Sequence, residues 1–253
     1  MHTILVTGAT GTLGRPLTTR LRQAGHHVRT LSRHPRPDDP HSHAVDLRTG
    51  AGLDTAVEGT DTIVHCATTP TGGDIPAATR LIRAARRAGA THLVYISIVG
   101  VDRIPLGYYQ AKYTIERALE ASGLGWTLLR TTQFHDLVVR LLTAAARLPL
   151  VPVPDVDVQP VDADEVAARL AHLAEHDPAG RVPDMGGPRV ESMPDLARAY
   201  LDATDDHRRV LPVRLPGATY AAYAAGHHLT PARDIGRATF ADHLAQHPPP
   251  PHR

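Results

Sequence analysis

Residues 6–14 read VTGATGTLG, behind the apolar run Ile4, Leu5, Val6 and ahead of a helical pattern over residues 13–24. A strand that runs into glycines and then a helix aims the first-turn N–H groups at one point in space. That point suits a phosphate. Gly8 lets the chain turn sharply, Gly11 leaves backbone bare where a pyrophosphate would touch it, and Gly14 lets the helix press on the strand. The spacing is G-x-x-G-x-x-G rather than the tighter G-x-G-x-x-G.

Around this stretch lie 253 residues, 42% of them hydrophobic, enough for one α/β domain or a domain with a small appendage. The 27 basic and 26 acidic residues nearly cancel and form no long single-sign run, which gives no support to nucleic acid or a membrane as partner. Cys66 is the single cysteine, and the N-terminus enters a strand by Thr3 without a charged leader or long apolar segment, so a cytoplasmic setting is expected. The 17 histidines are scattered through polar and Pro-rich stretches without H-E-x-x-H or cysteine-assisted spacing, and no metal site is expected.

Beyond the first helix, residues 27–31 read as a second strand, residues 44–46 close a third, and residues 62–66 form a fourth. An amphipathic helix over residues 77–88 is stopped by Gly89. Residues 92–98 are a continuous apolar strand of the kind buried on both faces of a parallel sheet, ending at Ser97. Ten residues intervene before Tyr108, which lies four residues before Lys112 on a helix continuing to Glu120. The two share one face, about 6 Å apart along the axis. A phenol is a poor acid or base at neutral pH, and a neighbouring ammonium favours its phenolate and lowers its pKa. The plainer reading is a helix whose tyrosines pack and whose lysine is solvated.

With the glycine turn, Ser97 and Tyr-x-x-x-Lys in hand, the chain resembles the short-chain dehydrogenase/reductase superfamily, and most closely its atypical, extended NmrA-like branch. The resemblance implies an α/β fold of Rossmann type: a doubly wound parallel sheet over residues 1–131 and an interleaved C-terminal substrate-binding region over residues 132–246; the tail over residues 247–253, HPPPPHR, cannot form a helix and is expected to be disordered. The resemblance makes Thr7, Gly8, Thr10, Gly11, Thr12, Leu13 and Gly14 dinucleotide contacts, with Asp46 and Leu47 at the adenine and Ala67 and Thr68 farther along the cofactor. An acid about 20 positions past the turn would bond ribose hydroxyls, but the sequence offers Ser32 and Arg33, which suit a 2′-phosphate. NADP (NADPH) is therefore expected ahead of NAD; the other reading of Arg33 is a solvated loop residue. Where many relatives carry Asn-Asn-Ala-Gly, this chain has His65, Cys66, Ala67, Thr68, with Cys66 read as a small core residue.

In the implied chemistry Tyr108 exchanges the proton of a substrate oxygen, Ser97 orients that oxygen, and Lys112 bonds the nicotinamide ribose while tuning Tyr108. Tyr109 and Tyr113 do not match the pattern. Residues 126–130 read as a sixth strand leading to Gln133, Phe134 and His135, the substrate-side candidates; His135 reads equally as a solvent-facing helix start. A helix is expected over residues 137–148, an acidic helix start near residues 161–167, a strand end near Met185, a helix over residues 194–203, a strand over residues 210–215, and helical patterns before and after Gly226. The function expected is NADPH-dependent oxidoreduction of a carbonyl, enone, quinone or alcohol in a small to medium, apolar organic substrate, and the helix bearing Tyr108 allows a homodimer. The alternatives are a dinucleotide-sensing regulator without turnover and a cofactor-retaining epimerase, dehydratase or isomerase.

Overall fold

The computed structural model describes residues 1–32, 39–69, 72–230 and 234–249. Arg33 and residues 250–253 of the expected tail lie outside the described residues. The elements are, in order, β1 (Thr3–Thr7), α1 (Gly14–Gln23), β2 (His27–Ser32), β3 (Ser42–Ala44), α2 (Leu53–Val57), β4 (Thr62–His65), α3 (Asp74–Ala88), β5 (His92–Ile98), α4 (Gly107–Glu120) and β6 (Gly125–Thr131). They continue with α5 (His135–Ala145), β7 (Leu150–Pro154), β8 (Asp157–Val158), α6 (Ala163–Ala174), β9 (Gly180–Arg181), β10 (Met185–Gly186) and β11 (Glu191–Ser192). The last are α7 (Met193–Ala203), β12 (Arg209–Val213), α8 (Ala218–Ala224), β13 (Asp234–Ile235) and α9 (Phe240–Gln246).

Two compact units divide the chain. The first comprises Met1–Ser97, Gly107–Arg130 and Asp164–Val182. Its strands lie in the order β9-β6-β5-β4-β1-β2-β3, and the pairings β1–β2, β1–β4, β2–β3, β4–β5 and β6–β9 are parallel. The order reverses between β1 and β4, so this is the doubly wound Rossmann-type sheet, and its switch point lies at the carboxyl ends of those two strands. Apolar runs explain the strands: residues 4–6 and 93–94 are buried as a parallel sheet covered on both faces requires. The stripe Leu81, Ile82, Ala85 turns one face of α3 inward, where it packs in a core with Leu5, Ile63 and Leu93. Each such leucine or isoleucine contributes about 1.5–3 kcal/mol.

The second unit comprises Ile98–Leu106, Thr131–Ala163 and Pro183–Arg253. Here β10 pairs in parallel with β13, and Met185 with Thr131, while β12 runs parallel to β7 and β11 antiparallel to β8. Its core gathers Val138, Leu142, Val153, Leu196, Tyr200 and Phe240.

Several expected boundaries shift. The third strand ends at Ala44, because Asp46 turns the chain: its Oδ1 accepts from Arg48 N at 2.9 Å and it bridges Ala51. Helix α3 begins at Asp74 rather than Ala77, and α5 begins at His135, directly after the extended Phe134. Before Gly226 the expected helix is α8; after it the chain makes a turn, and the next helix, α9, starts only at Phe240, under the capping box of Thr239 and Asp242.

Candidate active site

Strand β1 hands the chain to Gly8, whose φ of +68° is left-handed. A Cβ at Gly8 would lie 2.8 Å from Ala67 Cα, and one at Gly14 only 2.1 Å from the Gly8 carbonyl oxygen. Both obstacles are backbone and cannot swing aside. Gly11 differs: it is exposed, and a Cβ there would meet only the Gly8 oxygen, at 3.3 Å. Its bare backbone is thus open to a ligand. Gly11 N donates to Gly8 O at 3.0 Å and Arg15 Nε to Thr10 O at 2.7 Å, which fixes the turn. Helix α1 starts without a side-chain cap and with no acid in its first turn, so no side chain of its own competes for the positive end of its dipole. Thr10 and Thr12 are exposed there, and Leu13 is buried beneath.

Thr7 faces inward. Its hydroxyl lies 2.7 Å from His65 Nδ1 and accepts from Ala67 N at 3.1 Å, tying β1 to the loop after β4. It therefore ties the turn from below. His65 stacks on Tyr95, its partner in register on β5, with ring centroids 5.5 Å apart. Burial, with the Lys112 charge adding, pushes His65 down to about 3. Cys66 is half-buried, and burial pushes its thiol up to about 12 against the opposing pull of Lys112. At the far end of the sheet Ser32 closes β2, its carbonyl accepting from Val45 N at 3.0 Å, and Asp46 and Leu47 follow half-buried.

Ser97, Tyr108 and Lys112 all belong to the first unit. Ser97 is 2% exposed, and its Oγ has no hydrogen-bond partner among the described residues. The same holds for the hydroxyl of Tyr95, two residues earlier on the same face of β5. Lys112 is 4% exposed, so its expected alternative as a solvated lysine does not hold. Its Nζ lies 5.1 Å from the Tyr95 ring centroid and 5.8 Å from that of Tyr108. Among the described residues it has these aromatic rings around it and no hydrogen-bond partner. Burial lowers the Lys112 pKa, opposed by Asp74, Cys66 and Glu116. Tyr109 is buried and Tyr113 exposed.

One expectation reverses in sign. The Tyr108 phenol lies above its usual range rather than below it, because burial penalises the phenolate; the Thr68 hydrogen bond opposes this, and Asp74 and Tyr109 reinforce it. Thr68 itself lies under Tyr108, their hydroxyl oxygens 2.9 Å apart, and donates to Asp74 Oδ2 at 2.5 Å. The sequence reading missed Asp74, whose only visible signal was an acid at a helix start. It also missed the anchor of α4. Glu116, one turn beyond Lys112, receives a two-pronged pair from Arg130 at the end of β6, with Nε to Oε1 at 2.9 Å and Nη2 to Oε2 at 2.6 Å.

Gln133, Phe134 and His135 belong to the second unit. The Gln133 carbonyl accepts from Val161 N at 2.9 Å, and Phe134 bridges Val161. His135 is 1% exposed and not solvent-facing: its ring lies 5.1 Å from that of His243, and its Nε2 lies 3.2 Å from the Ala238 carbonyl oxygen. Burial lowers its pKa. Among the described residues no group of three or more His, Cys, Asp or Glu could hold a metal ion, and no helix is long and apolar enough to cross a membrane.

Comparison with known proteins follows the same lines. Over 138 residues the chain is 35% identical to the (4-alkanoyl-5-oxo-2,5-dihydrofuran-3-yl)methyl phosphate reductase of Streptomyces griseus subsp. griseus, covering 52% of this chain and 48% of that protein. The chain spans about half, or less, of the length of the curated relatives it matches. The fold is similar to that of the Escherichia coli NADPH-dependent quinone oxidoreductase in complex with NADPH, at 18% identity with a TM-score of 0.80, covering 96% of this chain and 99% of that one. It is also similar to the Citrobacter sp. triphenylmethane reductase in complex with NADP(H), at 19% identity with a TM-score of 0.78 and the same coverage. A family model described as NAD(P)H-binding matches residues 8–177, from the glycine turn through α6, and the chain belongs to that NAD(P)H-binding family.

Proposed function

We propose that the chain is an NADPH-dependent reductase of a carbonyl, enone or quinone in a small to medium apolar molecule, working through Ser97, Tyr108 and Lys112 in the manner of the NmrA-like branch. The observation that carries this is Lys112. A buried ammonium among aromatic faces, without a hydrogen bond among the described residues, is costly to maintain for structure alone. It fits a ligand that brings hydroxyl acceptors, as a nicotinamide ribose does. The orphaned Ser97 Oγ and the open backbone of Gly11 support the same fit.

In this reading Gly11 and the first turn of α1 hold the pyrophosphate, Ser32 and Arg33 the 2′-phosphate, Asp46 and Leu47 the adenine side, and Lys112 the ribose. Thr7 acts through the turn. When bound, NADPH supplies the hydride. Ser97 Oγ donates to the substrate oxygen and orients it, and Tyr108 gives that oxygen its proton. A phenol held above its usual pKa is protonated at neutral pH and ready for that role, which favours reduction over alcohol oxidation. The NADPH- and NADP(H)-bound relatives support the choice of nucleotide, and their names support a reductase.

The test is NADPH consumption by purified protein against a panel of quinones, enones and aldehydes. Stoichiometric oxidation of NADPH with reduced product is expected. Nucleotide binding without turnover across the panel would return the sensing alternative, and product formed without net NADPH loss would return the isomerase class.

A further inference from the structure

The phenol of Tyr108 is joined to a carboxylate that the family motif does not contain. Tyr108 Oη lies 2.9 Å from Thr68 Oγ1, and Thr68 Oγ1 donates to Asp74 Oδ2 at 2.5 Å. The other carboxylate oxygen of Asp74 accepts from Thr69 N at 2.7 Å, and Asp74 itself is 8% exposed at the start of α3. A hydroxyl has a single proton. With that proton directed at the carboxylate, in the shorter and charge-assisted contact, Thr68 Oγ1 can only accept from Tyr108. The Tyr108 proton then lies on the Thr68 side.

We propose that Asp74 and Thr68 are positioning residues that keep Tyr108 protonated and aimed, biasing the site toward giving a proton to a substrate oxygen and against taking one from an alcohol. Forming the phenolate would place a second negative charge at the end of a chain that already ends in a carboxylate, and Thr68 would have to leave Asp74 to solvate it. Thr68 holds the proton until an oxygen gaining charge becomes the better acceptor. The inference rests on Tyr108 as the proton donor of the proposed reductase, but the protonation state it concerns can be read without turnover.

Among the described residues, charged and titratable groups face Tyr108 from three elements and the loop before α3. From the loop after β4 and the start of α3 come Thr68 and Asp74. On α4 itself the Tyr109 ring stands edge-on at 6.3 Å, and Lys112 Nζ is 5.8 Å from the Tyr108 ring. From β5 comes Tyr95, whose ring is nearer to Lys112, at 5.1 Å. Lys112 is the cation of this group and favours the phenolate, but it lies over the rings rather than at the Tyr108 oxygen. Burial and the Asp74 charge both hold the phenol up; a bond donated by Thr68 would lower it, but the Thr68 proton is given to Asp74, so at Tyr108 the Thr68 oxygen accepts and favours the neutral phenol.

The experiment is a tyrosinate absorbance titration of the full chain, within the pH range where circular dichroism stays native. Subtracting the Tyr108→Phe curve isolates Tyr108. Repeating the pair in an Asp74→Asn background should move the Tyr108 midpoint down by about one pH unit or more, or bring into the native range a titration that wild type lacks. Thr68→Val should move it in the same direction, and Thr68→Ser, which keeps the hydroxyl, should restore the wild-type curve. An unmoved or raised midpoint in Asp74→Asn overturns the proposal. Should Asp74→Asn not fold, the Thr68 pair decides it alone, since a Thr68→Val curve equal to wild type overturns it equally. Midpoints that move as expected in a protein without turnover keep the protonation control and sink the reductase, and turnover with unmoved midpoints does the reverse.

Discussion

Tyr108 is half-buried and His65 buried, and each gives a measurable consequence. If Tyr108 is the proton donor, Tyr108→Phe removes the acid and leaves the ring, so NADPH affinity should hold while turnover falls about 10²–10⁴-fold, the usual contribution of a placed acid. Parallel fluorescence titration and NADPH oxidation check this, and equal turnover in the variant would reassign the donor. His65 bears on stability. In the fold its pKa lies at about 3, against an ordinary 6.5 in the unfolded chain. Above pH 6.5 neither state carries the proton and His65 adds no pH dependence. As pH falls from 6.5 toward 3 the unfolded chain binds a proton that the native state refuses, and stability is lost at about 1.4 kcal/mol per pH unit. His65→Phe keeps a ring beside Tyr95 and has nothing to titrate. Between pH 7 and pH 5 it should lose about 2 kcal/mol less than wild type, read from urea unfolding at the two pH values.

At the scale of elements, α4 carries Tyr108 and Lys112 and is held by the Glu116–Arg130 pair, whose side chains are 1% and 5% exposed. Removing one partner leaves a charge buried without its counter-ion. Arg130→Met should therefore destabilise the protein by about 3–5 kcal/mol, and combining it with Glu116→Leu should recover most of that loss. Denaturant midpoints of the single and double variants test both statements. What could be read from the sequence divides along the same line. Strand β5 and the α4 face that carries both Tyr108 and Lys112 were legible because a continuous apolar run and an i, i+4 spacing are local signals. The sign of the Tyr108 shift was not, because spacing gives the distance to Lys112 while burial and the carboxylate of Asp74 decide which charge state is favoured. Asp74 accepts from the Thr68 hydroxyl and from Thr69 N, contacts that no periodicity encodes. The parallel pairing of β7 with β12 joins residues 59 positions apart, Leu150 with Arg209, and left no trace in local pattern either.

For the molecule as a whole, the strand order reversal beside the glycine turn and the family match to residues 8–177 account for dinucleotide binding, but they do not choose between NADPH and NADH, the role proposed for Ser32 and Arg33 where β2 ends. Ser32 ends that strand half-buried, and Arg33 follows it. A ligand that binds only the native state raises its stability by RT ln(1 + [L]/Kd), about 2.7 kcal/mol at a hundredfold excess over Kd, so affinity can be read as thermal stabilisation. At equal concentration NADPH should raise the melting temperature more than NADH does. If the guanidinium of Arg33 pairs with the 2′-phosphate, Arg33→Ala should lower the NADPH shift to that of NADH and leave the NADH shift in place, because the two nucleotides differ only in that phosphate. A variant that keeps the full preference would move the selection away from Arg33. A variant that loses both shifts would mean that Arg33 supports the fold of the nucleotide site and does not read the phosphate.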